Sequence, residues 1–144
     1  MTVTIGSDLR QGSTRAEKAV RKGVKRGVNN AGTIVKRKAV ALCPVDTGRL
    51  RGSIEKMVVE APDDAFYSII GTSVYYAPYV EFGTGTHGAA SNPVFEGEEP
   101  VPHSTDVKGH FAQPFMRPAV YSSEVEVKEE IMKGVEAELE KAFN

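Results

Sequence analysis

The chain of 144 residues has no tryptophan, a single cysteine and a formal net charge of only −1. Each scarcity excludes something. One cysteine, Cys43, rules out an intramolecular disulfide framework and fits a reducing compartment. No apolar run approaches the ~18–20 residues that a membrane helix needs, so no membrane partner is expected. The opening MTVTIGSDLR lacks the basic segment and hydrophobic run of a secretory leader. Near-balanced charge argues against a protein that coats nucleic acid wholesale. The expectation is one soluble domain over residues 1–144, made inside the cell.

Catalytic signatures are equally scarce. The three histidines, His87, His103 and His110, lie near Glu96, Glu98, Glu99 and Asp106, but none has a tight HxxxH spacing. They read as a solvated polar loop, so neither a metal nor another cofactor is expected. No GxSxG elbow presents a serine nucleophile. Gly83-Thr84-Gly85-Thr86 lacks the GK[ST] ending of a phosphate loop and is read as not opening a helix. Cys43, at a helix end before Pro44, sits where the dipole disfavours a thiolate, which points to a buried structural thiol. No enzymatic activity is expected.

What the sequence does have is a divided charge. Residues 1–60 hold 13 Lys and Arg against 5 Asp and Glu, and residues 61–144 hold 5 against 14, balances of +8 and −9. Such halves meet inside one fold or across subunits of a head-to-tail assembly. The basic half also keeps open an alternative, a nucleic-acid-binding module using the first helix. In the assembly reading, Lys22, Lys25, Arg26 and Tyr75 are the candidate subunit interface.

Val3 and Ile5 alternate with Thr2 and Thr4, which predicts a short opening strand. Thr14 and Glu17 then match a capping box, and Ala16, Val20, Val24, Val28, Ala31, Val35 and Ala39 recur every three or four residues. Pro44 stops the run, so a helix is predicted over 14–42, on the order of 43 Å at 1.5 Å per residue. Ala19, Gly23, Gly27 and Ala31 form a smooth stripe on it. That stripe either admits another backbone or marks a bend near Asn29-Asn30. Strands are predicted over 54–60 and 65–73 around a hairpin turn at Ala61-Pro62-Asp63-Asp64, then a short helical turn within 74–82. A long, irregular and flexible loop fills 83–113, with 107–112 as a candidate returning strand. The last helix is predicted from near Pro118, with Ser122 or Ser123 as a competing cap. Its apolar stripe is Val127, Ile131, Val135, Leu139 and Ala142. The fold class is α+β: a small antiparallel sheet of three or four strands packed by a long N-terminal helix and a C-terminal helix, with a long irregular loop.

Three segments stand out: PVDTGRLRGSI at 44–54, YAPYVEFGTG at 76–85 and AQPFMRPA at 112–119. The residues that carry them are Pro44, Asp46, Thr47, Gly48, Leu50, Arg51 and Ser53; Tyr76, Ala77, Tyr79, Glu81, Phe82, Gly83 and Thr84; and Gln113, Pro114, Phe115, Arg117, Pro118 and Ala119. In this order, after a basic helix and before a charged one, they resemble the gene-product-ten family of long-tailed bacteriophages, the head–tail joining or tail-completion proteins of the neck. The resemblance runs from the opening strand to the final helix. It implies a structural protein of the virion, active or prophage-borne, without catalytic residues to carry over. It further implies a homo-oligomeric ring, a hexamer, around the DNA channel. The implied neighbours are head-closure, tail-terminator or tail-tube proteins, with DNA only passing through. Within the fold, Thr47-Gly48 is expected to turn the chain from the first helix into the sheet. Tyr76, Tyr79 and Phe82 are expected to bury against that helix, and Glu81 to pair with Arg51 or Arg117.

Overall fold

The computed structural model describes residues 1–7 and 15–144. Thr14, half of the expected capping box, lies outside the described residues. Strand β1 (Thr2–Ser7) precedes the long helix α1 (Arg15–Leu42), and a single helical turn, α2 (Arg49–Gly52), follows it. Strands β2 (Glu55–Glu60) and β3 (Phe66–Gly71) form the hairpin. Helices α3 (Ala77–Phe82), α4 (Gly85–Ser91), α5 (Met116–Tyr121) and α6 (Glu124–Phe143) complete an α+β architecture.

The sheet has the order β1-β3-β2, antiparallel throughout, with Val3 and Lys56 both opposite Ile70. Strand alternation turns Phe66, Ser68 and Ile70 of β3 inward and buries them, while Tyr67 and Ile69 face the other side. The hairpin closes where Ala61 N–H donates to Ala65 O at 2.9 Å and Asp64 takes a φ of 64°. The main core joins Val35 and Ala39 of α1 to Ile54, Ile70, Phe115 and Met116. A second cluster sits farther along α1, where Val24 and Val28 meet Phe66, with Ile131 and Val135 packed against them.

Helix α6 runs antiparallel along α1, and the smooth stripe is where they meet. A methyl group on Gly23 would lie 2.5 Å from Val135 Cα, and one on Gly27 2.5 Å from Ile131 Cα. Both distances are inside van der Waals contact with backbone that cannot step aside. Of the two readings of the stripe, close backbone approach is therefore the one realised; α1 is unbroken past Asn29-Asn30.

The divided charge is matched largely inside the subunit. Glu138, only 5% exposed, takes Lys22 at 3.0 Å, Lys141 at 2.9 Å and Arg26 at 3.4 Å. Lys38 reaches Glu126 at 2.5 Å and Ser122 O at 2.8 Å. Arg21 pairs with Glu60 and Asp64, Lys25 with Glu60 at 3.4 Å, and Lys36 with Glu55 at 3.3 Å. Lys22, Lys25 and Arg26 thus have acidic partners within their own chain.

Four expectations need correction. Residues 107–112 form no strand, so the sheet has three. The irregular segment 83–113 contains helix α4, opened at Gly85, because its first free N–H groups find distant acceptors: Thr86 donates to Val107 O at 3.0 Å and His87 to Lys108 O at 2.8 Å. The last helix is two helices broken at Ser122-Ser123; Ser123 is fully buried and spends its hydroxyl on Ala119 O at 2.6 Å instead of capping α6. Thr47-Gly48 leads into α2 before the sheet begins, so the chain does not enter the sheet by a direct turn.

The hydrogen bonds and charges of Lys141 and Lys22 hold the Glu138 carboxyl down from its ordinary 4.5 to about 2. A carboxylate with a depressed folded pKa favours the folded chain fully above its ordinary value, and that stability is lost as pH falls through the folded one. Urea titrations of the native chain and Glu138→Gln should therefore differ most above pH 4.5, with the gap closing towards pH 2. A gap independent of pH across that window would assign the effect to packing alone.

Candidate functional site

The second and third motifs are joined by one buried carboxylate. Glu81, on α3, is 0% exposed. Its Oε2 accepts Phe115 N–H at 2.7 Å and Met116 N–H at 2.9 Å, and its Oε1 accepts Arg117 N–H and Arg117 Nε, both at 3.0 Å. Four donors saturate it. Three of them are N–H groups where α5 begins, which have no acceptor within that helix, so the carboxylate acts as the helix's remote cap. Of the two partners expected for Glu81, Arg117 is the one found; Arg51 instead donates Nε to Val40 O at 2.9 Å.

Arg117 is itself fully used. Its Nη1 donates to Pro93 O and to Glu98 Oε2, each at 3.0 Å, and its Nη2 to Asn92 Oδ1 at 2.6 Å. The guanidinium lies 4.5 Å from the Phe82 ring centroid and 5.3 Å from that of Phe95. Tyr121 donates to the other oxygen of Glu98 at 3.1 Å. Burial pushes the Glu98 carboxyl up, but hydrogen bonds from Arg117, Tyr121 and the Phe95 N–H outweigh it and hold the group below the ordinary carboxylate range. Asn92, Phe95 and Glu98 carry no sequence signal of this role. They sit in an aperiodic stretch, and only the fold brings them to Arg117.

The first motif meets the second at a groove of about 480 Å³. Pro44, Val45, Asp46, Thr47, Gly48 and Leu50 form one wall; Tyr76, Tyr79 and Val80 form the other, with His110, Phe111 and Gln113 closing the end. Gly48 takes a φ of 81°, the left-handed region where side chains are strained, which shapes the wall ahead of α2. Gln113 is fixed by its N–H donating to Val80 O at 2.8 Å. Phe111, a groove residue that no motif contained, stacks on His87 with ring centroids 4.4 Å apart.

The expected burial of three aromatics against α1 is only partly met. Tyr76 packs against the main core, but Tyr79 is 59% exposed at the groove, and Phe82 lies beneath Arg117. Tyr75, at 80% exposure, meets Tyr76 edge-on at 5.4 Å. Ala77, Phe115 and Ala119 are fully buried core residues. Ser53 bridges Leu50 O and Thr72 Oγ1 at 2.7 and 2.6 Å. Thr84 Oγ1 accepts His110 N–H at 2.9 Å, Gly83 abuts Ala112, and Pro114 and Pro118 flank the start of α5.

The other histidine and cysteine contacts are internal to the fold. His103 bridges two carbonyls, Val101 O at 2.7 Å and Phe82 O at 2.9 Å, and so pins the irregular segment to α3. The N–H groups opening α4 are occupied by backbone carbonyls, which leaves Gly83–Thr86 no anion cradle. Burial pushes the Cys43 thiol up, as expected of an inert core thiol, although the Arg51 charge opposes the shift. Among the described residues no group of three or more His, Cys, Asp or Glu could hold a metal ion.

Residues 8–83 match a family model described as "Bacteriophage HK97-gp10, putative tail-component". No curated protein and no solved structure matches the chain. The match takes in the first motif and most of the second and stops short of the third, which the Glu81–Arg117 joint attaches physically.

Truncating Glu81 to Ala would leave three backbone N–H groups and the Arg117 Nε–H without their acceptor in a dry site. Removing one partner of such a pair costs about 3–5 kcal/mol. Urea unfolding of Glu81→Ala should show a loss of that order; a loss under about 1 kcal/mol, the scale of a surface ion pair, would show that water replaces the carboxylate.

Proposed function

We propose, for a chain that belongs to the HK97-gp10-like family of bacteriophage tail components, a structural role at the head–tail junction. Copies assemble into a closed ring around the DNA channel and complete the tail for joining to the capsid. The neighbours are then head-closure, tail-terminator or tail-tube proteins, and the site of residence is the neck of the virion. The observation that carries this reading is the family match over 8–83, the span whose two motifs wall the exposed groove.

The use of the polar motif residues supports a joining protein over an enzyme. Glu81 and Arg117, the most chemically capable pair, are saturated by each other and by backbone, with nothing left over for a substrate. Large exposed aromatics beside a groove are what protein interfaces employ. The nucleic-acid alternative is weakened by the same logic. Six of the basic side chains on α1 already face carboxylates in their own subunit, so the helix offers a phosphate backbone much less than its sequence suggests.

Disrupting the gene in a phage that encodes it should yield filled heads and complete-length tails that fail to join, seen by electron microscopy. Supplying the protein from a plasmid should restore joined particles. Normal particles without the protein would refute the role, and absence of tails altogether would move it to an earlier step of tail assembly.

A further inference from the structure

We infer that the groove between the first two motifs receives the acidic, proline-containing segment 94–107 of a second copy, a refinement that rests on the ring reading above. The groove is open to solvent, and its aromatic and aliphatic side chains are interspersed with Asp46, Thr47, His110 and Gln113. Tyr79 and Phe111 are 59% and 58% exposed in its lining, Val45 is exposed on the opposite wall, and Tyr75 packs edge-on against the lining residue Tyr76. Exposed aromatics gathered at one groove, rather than scattered singly, mark an interaction site, and Tyr is among the residues that dominate interface energetics.

Charge says what covers it. Arg49 and Arg51, exposed, alternate with the lining residues Gly48 and Leu50, and among the described residues neither forms an ion pair with an acid. Asp46 is the one acid in the lining. Segment 94–107 has the opposite character. It contains no Lys or Arg, and its Glu96, Glu99 and Asp106 are exposed without a basic partner among the described residues. Two patches of opposite residual charge therefore remain beside these pairs; they are distinct surfaces of one subunit that meet at Tyr79, which lines the groove and also borders residues 101–104 and 107.

Shape agrees. Between the turn at Phe95–Glu98, where Gly97 takes a φ of 82°, and the bend at 105–107, residues 99–104 run without helix or turn, with φ fixed at Pro100 and Pro102, and extended proline-containing strips fit aromatic-lined grooves. Val94 and Val107, both exposed, supply apolar contacts at its two ends. The segment does not have to be ordered on docking: Arg117 holds Pro93 and Glu98, and His103 holds Val101 against Phe82. Presenting it ready-made lowers the entropic cost of association. Because groove and segment are different patches, the contact is heterologous, and a heterologous contact that closes by rotation makes a ring.

The test is sedimentation equilibrium on the full chain, on Arg49→Glu and on the pair Glu96→Arg with Glu99→Arg. Each variant alone should self-associate about tenfold more weakly than the native chain, the scale of losing and reversing a few surface ion pairs. Mixed in equal amounts, the two variants should recover native association. In an alternating ring every contact then joins either a native groove to a native segment or a reversed groove to a reversed segment. Recovery on mixing also excludes misfolding as the cause of the single defects. Loss without recovery, or rings that ignore both changes, would overturn the groove contact and leave the ring reading standing. A native chain that stays monomeric at all concentrations would overturn both.

Discussion

One carboxylate in a dry site determines how this chain closes. Glu81 leaves water completely, and that is tolerable only because four donors converge on its two oxygens. Those donors come from residues 115–117, more than thirty positions away in the chain. Once the bond set forms, α5 must start where it does, Phe115 and Met116 must enter the main core, and the guanidinium of Arg117 must reach back over Phe82. From there it gathers Asn92, Pro93 and Glu98, so the irregular segment is fastened at its far side by the same residue. The groove depends on this chain of constraints, since Phe111 and Gln113 reach it just ahead of the fixed residues.

The second constraint is the glycine-faced crossing of α1 and α6. Backbones that approach within a methyl group's width gain dispersion contacts over a long line and position Glu138 over the basic face. The result is a subunit whose largest charge asymmetry is cancelled internally. Among the described residues Arg49 and Arg51 beside the groove, and Glu96, Glu99 and Asp106 of the 94–107 segment, take no part in these internal pairs.

The parts of this fold that are legible in the sequence are those written in local terms. The apolar period of α1, the proline that ends it, the hairpin turn at 61–64 and the left-handed Gly48 are all determined by neighbours within a few residues. The glycine stripe leaves close approach and a bend near Asn29-Asn30 as equals, and names no partner. Helix α4 escaped because its composition is poor for helix, with Gly85, Gly88 and small polar residues, and its N-terminus is satisfied by carbonyls twenty residues on. The break at Ser122-Ser123 is half legible: Ser123 stands at the N-cap position of α6, one of the two starts the sequence offers, but burial gives its hydroxyl to a carbonyl of the preceding turn. For Glu81, sequence reasoning left Arg51 and Arg117 as equals; choosing between them needs the distance between α3 and α5, which no local pattern encodes. Lys22, Lys25 and Arg26 read from sequence as surface for a neighbour; their partners within the chain, Glu138 across the helix crossing for Lys22 and Arg26 and Glu60 of β2 for Lys25, are tertiary contacts that no local pattern encodes.

The central claim is that the Glu81 carboxylate caps α5 and thereby locks the third motif to the second. Amide hydrogen exchange resolves it directly, by following Phe115, Met116 and Arg117 in the native chain and in Glu81→Gln. The expected result is strong protection of all three in the native chain, with a loss confined to them and their neighbours in the variant while α1 amides stay slow. Rapid exchange of those three amides in the native chain, or protection unchanged by the substitution, would contradict the account.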